Sequence, residues 1–137
     1  MEFRNNFQEL KSQIEYLSSL NKEDVTHIIK SSIYELESLK VFNEEELNEI
    51  NKVTLISEPF NNLFFKYNKE RLINKGVVYI EEKNDLQFII SLFYFFKQRV
   101  PILFHTSSKL QLQFIDILNK FLEENGVSKK FLRKIDE

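Results

Sequence analysis

The chain has 137 residues, of which 42% are hydrophobic and 29% are charged, and its formal net charge is −2. This balance is typical of a globular protein and excludes a disordered chain. The lack of cysteine excludes disulfides, thiol catalysis and zinc–thiolate centres. We expect a soluble cytoplasmic protein, because the N-terminus has no signal-peptide pattern and the most apolar stretch, residues 86–96, is shorter than the roughly 20 residues of a membrane span.

The amino-acid usage also carries information about the source of the chain. There is no Ala or Trp, there are only two Gly and two Pro, and Lys outnumbers Arg. Codons for Ala, Gly, Pro and most Arg are rich in G and C, so this bias indicates an AT-rich genome. We interpret the source as a low-GC bacterium or its phage or plasmid.

The first forty residues predict two antiparallel helices. A heptad-like spacing predicts a helix over residues 2–20, on the apolar positions Phe3, Phe7, Leu10, Ile14 and Leu17. Asn21 is a predicted N-cap for a second helix that extends to about Lys40. The short connection between them indicates a helical hairpin. We therefore predict one domain, 1–137, made of a helical hairpin over 1–42 and an α/β unit over 43–137.

Three short apolar runs, each followed by a helical pattern, predict the rest of the fold. The strands are predicted at 53–57, 77–81 and 101–104, and the helices at 60–73, 85–98 and 109–124. This alternation predicts an α/β fold with a small three-stranded, mostly parallel sheet and flanking helices on both of its faces. Short apolar runs also occur in helices, so a mostly helical bundle is the alternative.

Two shorter helices complete the prediction. Asn43 and Glu46 form a capping pair that opens a helix over 44–50. Ser128 is a predicted cap for a last helix that carries Phe131, Leu132 and Ile135.

Polar residues follow each predicted strand and form the candidate site. Parallel strands bring their carboxyl ends to one edge of the sheet, where helix N-termini favour anions. The segment from His105 to Lys109 could therefore bind a phosphate, Glu58 and Glu81 could bind Mg²⁺, and His105 could act as a general base. An enzyme or phosphate-ligand-binding protein that uses Glu58, Glu81, His105 and Ser107 is one functional alternative.

Ordinary structural roles account for the same residues. Ser and Thr after a strand commonly cap helices, and Glu there meets the helix dipole favourably. The glycine patterns of phosphate-binding loops and the GxSxG elbow are absent. We therefore assign no catalytic residue, no metal ligand and no cofactor from the sequence.

The aromatic content points to a different function. The chain contains 14 Phe and 5 Tyr, more than a sheet of about three strands is expected to bury. An exposed apolar patch above ~600 Å² would then mark a partner surface. Phe65, Leu112 and Ile115 are its predicted binding residues, because they lie off the main apolar stripes of their helices, and Tyr34, Tyr67 and Phe131 are further candidate anchors. Our leading interpretation is a small module that binds another protein, or a second copy of itself, stoichiometrically, as inhibitors, immunity proteins and assembly factors do.

A basic cluster near the C-terminus provides the third alternative. Lys129, Lys130, Arg133 and Lys134 could contact phosphates in a nucleic-acid-associated regulator. The cluster is short, Asp136 and Glu137 follow it after one residue, and the chain as a whole is slightly acidic. We do not expect nucleic acid to be the partner.

Overall fold

The structure, a computed structural model, describes residues 8–55, 70–72 and 77–135. The helices are α1 Ile14–Ser18, α2 Lys22–Ser38, α3 Glu44–Asn51, α4 Asp85–Lys97 and α5 Lys109–Glu124. The strands are β1 Glu70–Leu72, β2 Val78–Ile80, β3 Ile102–Phe104 and β4 Leu132–Lys134. One helical turn at 8–11 precedes α1, and a 3₁₀ turn, Lys52–Leu55, continues α3.

The four strands form one sheet in the order β1-β2-β3-β4. β1 pairs antiparallel with β2, whereas β2, β3 and β4 are parallel to one another. Because α4 connects β2 to β3 and α5 connects β3 to β4, the parallel part consists of two consecutive βαβ units. The predicted α/β class, with a small mostly parallel sheet, flanking helices and an N-terminal helical hairpin, is confirmed.

Different parts of the chain cover the two faces of the sheet. On one face Val78, Ile80, Ile102 and Phe104 belong to the main core, together with buried residues of α2, α4 and α5. On the other face Tyr79 and Leu103 form a smaller cluster with Leu10, from the turn that precedes α1. The alternation of side chains along each strand produces this division.

Helix α4 is the centre of the core. Every residue from Phe88 to Phe96 is buried, as expected for a helix that is apolar on all sides. Its rings make edge-to-face contacts, such as Phe93 with Phe114 at 5.0 Å between centroids, and Phe96 stacks on Phe131 at 5.4 Å. Helix α2 packs against both α4 and α5, so the N-terminal hairpin helps to bury α4. The division of a single domain at residues 42 and 43 stays a prediction.

The first predicted strand is wrong where the structure describes it. Val53, Thr54 and Leu55 form the 3₁₀ turn after α3, and the remainder of the 53–57 run lies outside the described residues. The capping box of Asn43 and Glu46 opens α3 as predicted, and the chain then stays helical. The ammonium group of Lys97 donates to the carbonyl oxygens of Val53, at 3.0 Å, and Thr54, at 2.7 Å. This long-range contact stabilises the helical conformation of residues 53–55. The spacing of apolar residues in the sequence does not reveal such a contact.

Two predicted helical segments are strands instead. Residues 70–72, placed at the end of a predicted helix over 60–73, pair with β2 as β1, and the rest of that segment lies outside the described residues. The segment around Leu132 pairs with β3 as β4, because Ile102 and Leu132 face the same core. In both cases pairing with a distant strand overrides the local helical pattern.

Candidate functional site

A cleft of about 270 Å³ lies at the carboxyl ends of β2 and β3. Its lining residues come from the loop before α4, the loop before α5 and the first turn of α5; they are Glu81, Glu82, Lys83, His105, Thr106, Ser107, Ser108 and Gln111. Three residues proposed from the sequence, Glu81, His105 and Ser107, therefore share one cleft. The fourth, Glu58, lies outside the described residues. The parallel pairing of β2 with β3 brings the two loops together, as the sequence predicted for this edge.

The imidazole of His105 is held by a backbone carbonyl. Its Nδ1 lies 2.8 Å from the carbonyl oxygen of Ile135, the residue after β4. A carbonyl oxygen only accepts hydrogen bonds, so Nδ1 must carry the proton and donate. In the neutral ring Nε2 then keeps its lone pair, which can accept a proton or a hydrogen bond. The contact therefore selects the tautomer and orients the ring.

The two glutamates on the opposite side of the cleft keep acceptor capacity. Glu81 is exposed, and its Oε1 accepts a hydrogen bond of 2.9 Å from the hydroxyl of Tyr79. Glu82 accepts from the backbone N–H of Asn84 at 3.2 Å through its Oε1. Each carboxylate has room for further donors, since a carboxylate offers about four lone-pair sites.

Asp85, the first residue of α4, bonds to the start of α5. Its Oδ1 accepts from the hydroxyl of Ser108 at 2.9 Å and from Nε2 of Gln111 at 3.0 Å. Because Ser108 is the N-cap of α5, the carboxylate of Asp85 lies at the positive end of that helix. The chain therefore supplies its own anion at the place where a bound anion would interact with the helix dipole.

Gln111 is a site residue that the sequence analysis missed. Its side chain lines the cleft but is only 1% exposed, and its Nε2 donates both to Asp85 and to the carbonyl oxygen of Glu82, the latter at 2.8 Å. Its Oε1 has no hydrogen-bond partner within the described part of the chain. An unsatisfied buried acceptor costs about 1–3 kcal/mol. The signal was present: a Gln three residues after an N-cap Ser resembles a capping box, but here the amide bonds the neighbouring loop instead.

The predicted partner-binding residues have different surroundings. Ile115, predicted to lie off the main apolar stripe of α5, is 7% exposed and belongs to the main core, and its role in binding a partner stays a prediction. Leu112 is partly buried, and Phe65 lies outside the described residues, as does Tyr67. Phe131 is fully buried against Phe96 and offers no anchor to a partner. Tyr34, in contrast, is 77% exposed on α2.

The described residues, 8–55, 70–72 and 77–135, were also compared with what a metal site, a membrane span and a basic surface require. Over these ranges no group of three or more metal-ligating side chains is positioned to hold a metal ion. No helix in the same ranges has the length and apolar character needed to cross a membrane. In the basic cluster Arg133 pairs with Glu9, while Lys129, Lys130 and Lys134 are exposed.

Fold and cleft together define a small α/β protein with an open cleft, lined by polar and charged residues, at the carboxyl ends of its parallel strands. Comparisons with protein-family models, with curated proteins and with solved structures find no match to this chain. The function must therefore be argued from the cleft itself.

Proposed function

We propose that this protein binds a small polar ligand in the cleft at the carboxyl ends of β2 and β3. The observation that carries the proposal is the orientation of His105. A backbone carbonyl 2.8 Å from Nδ1 fixes the tautomer, so that the neutral ring keeps an acceptor at Nε2 in a residue that lines the cleft. Ligand sites commonly combine a concave surface with a few polar groups of fixed orientation.

The size of the cleft limits the ligand. Its volume of about 270 Å³ lies slightly below the ~300–1,000 Å³ typical of pockets for drug-sized molecules. A water molecule occupies ~30 Å³ in the liquid, so the cleft holds on the order of ten non-hydrogen atoms. A small metabolite, or one end of a larger ligand, fits this space.

A panel of small metabolites tests the proposal on the intact chain. Amide chemical shifts would be recorded by NMR for the wild type and for His105→Asn, whose side-chain N–H can still donate to Ile135 but which lacks Nε2. We expect at least one compound to shift the amides of 81–84 and 105–111 and to bind the variant less tightly. Binding elsewhere, or equal binding to His105→Asn, would contradict the role of His105 in this cleft.

A second candidate is the stoichiometric protein-binding function predicted from the sequence. It is favoured by one observation, the 77% exposure of the Tyr34 side chain on α2. Among the described residues the only other large apolar side chain that is exposed is Val41, at 48%. Exposed tyrosines are frequent anchors in protein interfaces. A pull-down with wild type and Tyr34→Ser tests this candidate. It requires a protein that binds the wild type and no longer binds the variant.

A further inference from the structure

We infer that the ligand of this cleft is a small organic cation with N–H donors, such as an amine or a guanidinium, rather than a phosphate. The inference rests on the proposed function, because it names the ligand class of the same cleft. It is carried by the distribution of hydrogen-bond acceptors and donors around the cleft.

Acceptor atoms on the lining residues have spare capacity. The Oε1 atom of Gln111 has no donor among the described residues, although it is itself buried and closed to solvent. Among the described residues, the carboxylates of Glu81 and Glu82 each accept one hydrogen bond, from Tyr79 and from Asn84 respectively. When its ring is neutral, His105 adds Nε2 as a further acceptor. A ligand rich in donors complements this set.

Several backbone donors that would hold an anion are already occupied. The N–H of Gln87 donates to the Asn84 side chain at 2.9 Å, and the N–H of Gln111 donates to the Ser108 hydroxyl at 3.2 Å. The N–H of Ser108 donates to Oγ1 of Thr106 at 3.0 Å. In addition, Asp85 places a carboxylate at the N-terminus of α5, as described above. A phosphate would have to displace these partners before it could use these three N–H groups.

The formal charge of the lining favours the same class of ligand. Glu81 and Glu82 contribute two negative charges and Lys83 one positive charge, so the lining is negative when His105 is neutral. Lys83 is exposed, and Lys109, exposed at the start of α5, is not part of the lining. Charge-assisted hydrogen bonds from a cation to a carboxylate are about twice as strong as neutral ones.

Three probes of similar size and different charge test the inference on the intact chain. Methylguanidinium, the neutral methylurea and inorganic phosphate would each be titrated at about neutral pH, with NMR shifts of residues 81–84, 105–108 and the Gln111 side-chain amide as the readout. We expect methylguanidinium to bind here at least about fivefold more tightly than methylurea, since only the cation gains charge-assisted bonds. Phosphate should leave these signals unchanged.

Isosteric variants separate charge from shape. Glu81→Gln and Glu82→Gln keep an oxygen for Tyr79 or Asn84 but remove one charge, and each should weaken methylguanidinium binding about two- to fivefold. Glu123→Gln, an exposed change near the far end of α5, is the control and should have no effect. Phosphate or methylurea binding more tightly than methylguanidinium would overturn the cation class while leaving ligand binding in the cleft intact. If none of the probes or metabolites moves these signals, the cation class and the proposed function both fail.

Discussion

Nδ1 of His105 and the carbonyl oxygen of Ile135 lie 2.8 Å apart and join the ends of two parallel strands that are 30 residues apart in the chain. The backbone repeats the connection, since the N–H of Ile135 donates to the carbonyl oxygen of Phe104 at 2.8 Å. His105 therefore has a structural role as well as the proposed role in the cleft, and its two ring nitrogens serve them separately.

Variants of His105 should separate these two roles. Asn can place an N–H close to the position of Nδ1. The free energy of unfolding of His105→Asn should therefore lie within about 0.5 kcal/mol of the wild-type value. His105→Ala removes the donor to Ile135 and should lose about 1 kcal/mol. Urea unfolding followed by circular dichroism measures both. A large loss of stability in His105→Asn would mean that the ring packs in a way that this hydrogen bond does not explain.

Three helices end in a residue with a left-handed backbone. Introducing Gly at such a position and removing it should change stability in opposite directions. The residue that follows the C-cap has a left-handed backbone in each case: Lys40 after α2, with φ 58°, Arg99 after α4, with φ 64°, and Gly126 after α5, with φ 70°. A non-glycine residue pays about 1–2 kcal/mol for this conformation, whereas Gly adopts it freely. Lys40 is exposed, so its side chain offers little compensation.

Lys40→Gly should therefore stabilise the protein by about 1 kcal/mol, and Gly126→Ala should destabilise it by a similar amount. A Cβ atom built at Gly126 meets no atom within 4 Å, so backbone conformation alone should set that effect. Midpoints of denaturant unfolding measure both changes. Equal midpoints for Lys40→Gly and the wild type would show that the strain at Lys40 is relieved by other means.

Arg99 should respond differently from Lys40 although its backbone has the same conformation. Its guanidinium donates to the carbonyl oxygen of Leu20, at 3.0 Å from Nη2, and to that of Lys97, at 2.6 Å from Nη1. Arg99→Gly relieves the backbone but leaves these carbonyls without the donor. Because hydrogen bonds to charged groups contribute about 1.5–3 kcal/mol, we expect a net loss of about 1 kcal/mol. A stabilised Arg99→Gly would mean that backbone strain outweighs the guanidinium contacts.

The pH dependence of stability should not come from Arg99 near neutrality. Burial lowers the pKa of its guanidinium, since desolvation disfavours the charged form. A lowered folded-state pKa means that the unfolded chain binds the proton more tightly, so this group raises stability as pH increases through its strongly alkaline titration range. Arg99→Gly and the wild type should therefore keep a constant stability difference between about pH 6 and pH 9. If the stability difference between the two proteins changed between these pH values, the charged state of Arg99 near neutrality would be contradicted.

Local signals were the part of the structure that the sequence predicted best. The caps Asn21 and Asn43 open their helices as expected, each with its side-chain oxygen accepting from the third residue of the helix, and Asn84 does the same for α4. The bounds of α5, Lys109–Glu124, also agree with the predicted helix over 109–124. These features depend on residues within one helical turn of each other, which is why a single sequence reveals them.

Features that depend on distant contacts were missed. Lys97 supports the 3₁₀ turn at Val53 from 44 residues away, and Gln111 bonds the loop at Glu82 from 29 residues away. The location of the cleft was predictable because parallel strands share one edge. Its chemistry was not, since the caps Asn84 and Ser108 and the carboxylate of Asp85 at the start of α5 depend on contacts between two loops, and they disfavour the phosphate that the segment from His105 to Lys109 suggested.

Self-association is the remaining test of the protein-binding candidate. A stable dimer normally buries about 1,200–2,000 Å² in total, and its core is enriched in aromatic residues. If Tyr34 and the predicted binding residue Phe65 contribute to such a surface, light scattering should show a mass above that of one chain, and Tyr34→Ser or Phe65→Ser should lower it. Tyr34→Ser replaces an exposed side chain, so stability should change by less than about 0.5 kcal/mol. The control is Lys30→Ser, another exposed change on α2, which should leave the mass unchanged. A wild-type mass of one chain at all concentrations would exclude the homodimer and leave binding to a different protein as the form of this candidate to test.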